Sequence, residues 1–115
     1  METMRGIIID RTTKTVELVD KDWTLKDMQK IIGGYIESVA PPVAGTIMYV
    51  NEDGKRLKLL QWKMPFMLQG KAGMLSYCGN AVIRGEPDDE GKTTGLEKEQ
   101  AENLLAFLKA EIVWE

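Results

Sequence analysis

The sequence predicts an α+β fold: a mostly antiparallel sheet with two helices packed on it, in the order β-β-α-β-β-β-β-α, within one domain spanning residues 1–115. Three observations carry this expectation. Short stretches rich in β-branched and alternating residues recur along the chain, separated by polar and glycine-containing turns. Two hairpin signals, Asp10–Lys14 and Asn51–Gly54, join neighbouring strand-like runs. Two further segments space their apolar residues at helical intervals behind a readable start signal.

Taken in order, Arg5–Asp10 (Arg-Gly-Ile-Ile-Ile-Asp) is long enough for one buried strand, and Thr13–Val19 alternates in part, with Val16 and Leu18 facing one way. The first helix then shows start, body and stop. Thr24 suits an N-cap whose hydroxyl accepts the amide of Asp27, and Trp23 with Met28 makes a hydrophobic staple. Leu25, Met28, Ile31 and Ile32 form its apolar face, and Gly33-Gly34 ends it where a left-handed residue is cheap. A strand, Tyr35–Val39, follows at once and must end at Ala40-Pro41-Pro42.

Gly45–Val50 and Lys55–Leu60 both read as strands, joined by Asp53-Gly54 as a hairpin turn. Gln61–Gly73 has no clear period and contains Pro65, so it reads as an irregular covering segment. Met74–Arg84 reads as one strand, with Gly79-Asn80 as a bulge or a close backbone approach. Gly85–Gly95 is a polar loop. The last helix is expected after Thr94, with Glu97 completing a capping box and Ala101, Leu104, Leu105 and Leu108 as its apolar stripe to about Ala110. The tail Ile112–Trp114 suits an edge strand or a helix extension.

Bulk properties exclude several function classes. A net charge of −3 is too mild for a nucleic-acid binder working by bulk charge, and too mild for an acidic DNA mimic. No apolar run is long enough to span a membrane, and the start of the chain lacks a signal-peptide segment. The single cysteine, Cys78, allows no intrachain disulfide and suits a reducing compartment, so the cytoplasm is the expected location. Histidine is absent, which excludes a Ser/His or Cys/His catalytic pair within the chain. No cofactor fingerprint is present, and the expectation is a protein that is not an enzyme.

Four blocks in fixed order resemble domain of unknown function 3846. They are Leu25 through Met28 and Gln29 to Gly33-Gly34-Tyr35-Ile36-Glu37, then Met48–Lys55, then Gly79–Gly85, then Gly95–Gln100. The likeness covers about Ile7 to Leu108, and it departs from the family pattern at Leu57–Met64. Members are small proteins common in bacteriophages and mobile elements, so the resemblance implies that origin and a compact α+β domain. It brings no catalytic residues.

Gly33-Gly34-Tyr35 ends a helix, where the dipole has the wrong sign for an anion, so a C-cap is preferred to a phosphate site. Asn51–Gly54 lacks the ligand spacing of a calcium loop and reads as a turn, and Asp88-Asp89-Glu90 reads as a solvated loop. Cys78 reads as a structural thiol. Lys55, Arg56, Lys58, Lys63 and Lys71 interleave with Trp62 and Phe66, which could hold a nucleotide by charge and stacking or simply coat a solvated hairpin. Met64, Met67 and Met74 with Phe66 and Trp62 suit either core filling or an adaptable contact surface, and both remain open. Candidate binding residues are therefore Arg56, Lys58, Trp62, Lys63, Phe66, Met67 and Tyr77.

The leading functional expectation is a non-catalytic accessory protein that binds a host protein stoichiometrically through Gln61–Gly73 or an exposed sheet edge. The alternative is a nucleotide-sequestering protein with a pocket lined by Arg56, Lys58, Trp62 or Tyr77, between subunits of a homo-oligomer. Weak binding of single-stranded nucleic acid is a third expectation.

Overall fold

The first hairpin forms where the β-branched run and the polar turn place it. β1 (Met4–Asp10) pairs antiparallel with β2 (Thr15–Lys21), setting Ile7 opposite Leu18 and Ile9 opposite Val16. Asp10 organises the turn by accepting the backbone N–H groups of Thr12 and Thr13 at 2.9 and 3.1 Å. This is a computed structural model; it describes residues 3–39, 41, 43, 45–68, 70–86 and 94–114, and only the backbone of 66–68.

Helix α1 (Leu25–Ile32) starts and stops at the residues its caps require. Thr24 Oγ1 accepts the Asp27 N–H at 3.2 Å, and Gly33 closes the helix in the left-handed region at φ 86°. The Thr24 hydroxyl, together with Lys21 at 3.4 Å, holds the Asp27 carboxylate below its ordinary range. β3 (Ile36–Val39) then forms a hairpin with β4 (Thr46–Asn51), placing Glu37 opposite Val50.

β5 (Gln61–Leu68) and β6 (Lys71–Cys78) form a second hairpin, paired along their whole length. β7 (Ala81–Gly85) returns to the first sheet, α2 (Lys98–Glu111) follows, and β8 (Val113–Trp114) pairs with β5 at Trp62 and Lys63. The five-stranded sheet runs β2-β1-β7-β4-β3 and the three-stranded sheet runs β6-β5-β8, all pairings antiparallel.

Period-two alternation sends the larger sheet's residues into two cores. Ile7, Ile9, Met48, Val50, Ala81 and Ile83 face Trp62, Met64 and Tyr77 of the smaller sheet and Leu104 and Leu108 of α2. Ile8, Tyr49 and Val82 face the other way, onto Trp23, Met28 and Ile32 around α1. The layers are thus α1, the five-stranded sheet, and then α2 beside the three-stranded sheet.

Several expectations change here, each for a physical reason. The α+β class holds, but no strand forms at Lys55–Leu60. Those residues are a run of turns closed by Leu57 N–H to Asp53 O at 2.8 Å and Leu59 N–H to Gly54 O at 3.0 Å. A two-residue hairpin at Asp53-Gly54 would need positive φ at glycine, and Gly54 is not among the glycines that adopt it. Gly54 serves instead for close approach, since a Cβ there would lie 3.2 Å from the Cys78 Cβ. Within Gln61–Gly73, residues 61–68 and 71–73 are strand rather than irregular, and Trp62 and Met64 alternate inward as in any half-buried strand. Pro65 is tolerated because β8 pairs with β5 only at Trp62 and Lys63, so that edge has no further ladder partner among the described residues.

Met74–Arg84 is two strands in two sheets rather than one. Gly79, at φ 78° and with a Cβ position only 2.8 Å from Leu59 Cδ1, is the crossing point. Helix α2 begins later than expected, with Glu97 as its N-cap and its N–H donating to Gln100 Oε1 at 3.3 Å. Thr94 instead bonds the Glu86 carbonyl at 2.8 Å. The loop expected between Gly85 and Gly95, with Asp88-Asp89-Glu90, lies at 87–93 outside the described residues. The tail settles as an edge strand, β8.

Candidate functional site

Of the aromatic residues singled out from the sequence, Trp62 and Tyr77 are core residues. Trp62 is fully buried, donates its indole N–H to the Gly79 carbonyl at 2.8 Å, and packs on Tyr77 with ring centroids 4.6 Å apart. Burial pushes the Tyr77 hydroxyl pKa up from its ordinary value. Neither ring is presented for stacking on a base. The cations lie elsewhere: Arg56 and Lys58 are exposed on the turn between β4 and β5, and Arg56 is paired with Asp53 at 3.2 Å. That pairing raises the Arg56 pKa further. Lys63 is half-buried in β5 and engaged with neighbours. Phe66 and Met67 belong to the β5 backbone, and their side chains lie outside the described residues.

These residues do not share one pocket. Tyr77 lines one cavity, Lys58 another with Arg11 and Asn80, and neither Trp62 nor Arg56 lines either. Within this one chain Arg56, Lys58, Trp62 and Tyr77 are thus not gathered around one cavity, because strand alternation turns the rings inward while the cations stay on an outer turn.

The structure assembles a different site. A cleft of about 340 Å³ lies between β6 and the β3–β4 hairpin, lined by Leu75, Ser76, Tyr77 and Cys78 on one side and by Glu37, Val39, Val50 and Asn51 on the other. Successive side chains of a strand point to opposite faces. Four consecutive β6 residues at one cavity therefore mean that the strand's hydrogen-bonding edge, not one of its faces, forms the wall. β6 is the end strand of its sheet, so this edge has no ladder partner among the described residues. From β3 come Glu37 and Val39, two apart and on one face.

The turn of residues 52–58 closes one end of the cleft, with Gly54 against Cys78 and with Glu52 and Lys55 at the rim. Asn51 is buried beneath it and accepts the Asp53 N–H at 2.8 Å, which fixes the turn. Beyond the other end, Lys71, Ala72, Gly73 and Met74 are all exposed, Met74 at 53%. Consecutive exposed residues show both faces of β6 to solvent, so the tip half of this strand stands clear of the core. The free thiol of Cys78 is half-buried at the closed end. Among the described residues, no three histidine, cysteine, aspartate or glutamate side chains come together as a metal-holding group.

Sequence reasoning missed Glu37, Asn51, Glu52, Ser76 and Cys78 as neighbours, because Gly79-Asn80 signals only a bulge or a close approach and nothing local says which strands the crossing brings together. One signal was available. Residues 54–85 contain Lys55, Arg56, Lys58, Lys63, Lys71 and Arg84 and no acidic residue, so all 18 carboxylates lie outside that stretch. The chain's mild net charge hides a basic hairpin set against an acidic remainder.

No helix among the described residues is long and apolar enough to cross a membrane. No curated protein and no solved structure matches the chain. Residues 4–109 match the family described as domain of unknown function (DUF3846), and the chain belongs to that family.

Proposed function

We propose that this chain is a non-catalytic accessory protein, of phage or mobile-element origin, that acts in the bacterial cytoplasm by binding a host protein stoichiometrically. One observation carries the reading: β6 is an end strand whose outer edge has no ladder partner among the described residues, and its residues Lys71–Met74 are exposed on both faces. A bare edge of this kind is a template for a further strand, and soluble proteins normally cover or blunt one. Lys71 is such a blunting charge, and it opposes indiscriminate pairing while leaving room for a chosen partner. The absence of histidine from the whole chain supports a binding role over an acid–base one.

Sequestration of a phosphate-bearing nucleotide is the weaker reading. The cleft is flanked by the carboxylates of Glu37 and Glu52, and Lys55 is the one member of the basic cluster that lines it. Two anionic groups beside a phosphate disfavour binding.

A photo-crosslinking amino acid at position 72, expressed in bacterial cells, tests the protein-binding reading. The expected result is a discrete adduct that a crosslinker at the exposed α2 position 102 does not give. No adduct, or the same adducts from both positions, overturns it.

A further inference from the structure

Across the larger sheet, α2 packs against β1 and β2, and β6 of the smaller sheet reaches β4. The core-facing side of β3 carries Val39, packed at the margin of the core, and Glu37, exposed at the cleft. Between β3 and the smaller sheet lies the cleft, and its wall is the outer edge of β6, which has no ladder partner among the described residues.

We propose that the cleft receives a single extended segment of the partner protein, which pairs with β6 at Leu75–Cys78 as a fourth strand of the smaller sheet. This rests on the protein-binding reading above and names the form its partner takes. Four residues of edge offer roughly 13 Å of ladder at about 3.4 Å per residue. Alternate side chains of the segment would cover Val39, Val50 and Leu75. The rim selects its charge: Glu37 and Glu52 are both exposed there against one lysine, Lys55, so a lysine or arginine on the segment is favoured.

A second copy of this chain fits less well. It would present β6 with β5 already bonded along the other edge. That ribbon is wider than a single strand by about 5 Å, and the extra strand would have to enter the space that β3 and β4 occupy.

The lone thiol reports occupancy without engineering. Random dodecapeptides displayed on phage are selected against the full-length protein, and the enriched peptides are synthesised. The expected peptides alternate apolar residues, carry lysine or arginine, and slow the reaction of Cys78 with a thiol reagent at least tenfold. Methylating one backbone nitrogen of such a peptide, or introducing Glu37→Lys with Glu52→Lys at these exposed positions, weakens binding about tenfold. Lack of enrichment overturns the proposal, as do peptides that leave Cys78 equally reactive. Protection of Cys78 that rises with the protein's own concentration also overturns it, since a second copy then fills the cleft. If the proposal fails while position 72 still crosslinks a partner, the binding reading stands with a different contact. If both fail, the reading fails too.

Discussion

Gly6→Ala tests the α1 side of the fold most sharply. Trp23 lies flat over Gly6: a Cβ built there would sit 2.4 Å from Trp23 Cζ2 and 2.7 Å from Cε2, and both atoms belong to a rigid ring. The ring is held in place, being 3% exposed and donating its indole N–H to the Met4 carbonyl at 2.6 Å. Arg84, itself buried, stands 5.9 Å from the ring centroid, and Lys21 stands 5.6 Å from it. Trp23 also adopts φ 42°, a costly value for a bulky residue that the surrounding contacts must sustain. An added methyl forces the ring away. The overpacking costs about 1–3 kcal/mol, and loss of the indole hydrogen bond adds roughly 1 kcal/mol. A total of about 2–4 kcal/mol should lower the urea midpoint by roughly 1–3 M, followed by circular dichroism. In a Trp23→Phe background, where the larger ring is gone, the same alanine should cost less than about 1 kcal/mol, giving a coupling of about 1–3 kcal/mol. An equal cost in both backgrounds would refute the packing argument.

Three other outcomes are expected. Asn80 accepts the Arg11 backbone N–H and donates to the Ile31 carbonyl, both at 2.9 Å, so it ties the sheet crossing to the β1–β2 turn and the end of α1. Asn80→Ala should therefore cost about 2 kcal/mol in urea unfolding, and a cost below about 0.5 kcal/mol would contradict it. Tyr77 has a raised folded-state pKa, so its contribution to stability is full below the unfolded value near 10 and is lost as pH rises from there toward the folded value. Tyr77→Phe should flatten stability against pH above about 10 relative to the native chain, and parallel slopes would count against the burial of that hydroxyl. Met74→Lys, at an exposed position, should change stability by less than about 0.5 kcal/mol while reducing crosslinking from position 72. A large loss of stability would mean that Met74 is covered.

Much of the scaffold was legible because its signals are local. Thr24 and Gly33 announce the limits of α1, and Ile7–Ile9 with Val16 and Leu18 announce the first hairpin. The errors have one origin. Asp53-Gly54 has the residues of a hairpin turn, yet its glycine answers to steric contact with Cys78, a residue distant in sequence. Pro65 argued against a strand, but what matters is whether that edge needs a donor, which depends on where β8 begins. The same limit hid the cleft. Glu37 and Ser76 belong to different sheets, and only the crossing at Gly79 makes them neighbours. The basic cluster Lys55–Lys71 was legible, but the lack of any acidic residue across 54–85 is averaged away in a net charge of −3.

Residue-resolved amide hydrogen exchange of the free protein tests the open edge of β6 most directly. An edge strand bonds alternate amides to its single neighbour and leaves the others facing outward. Between Lys71 and Ser76, every second amide should be protected by β5 and its neighbours should exchange fast, at all protein concentrations. Uniform protection across that stretch would contradict the account, because it would mean that the edge is already paired.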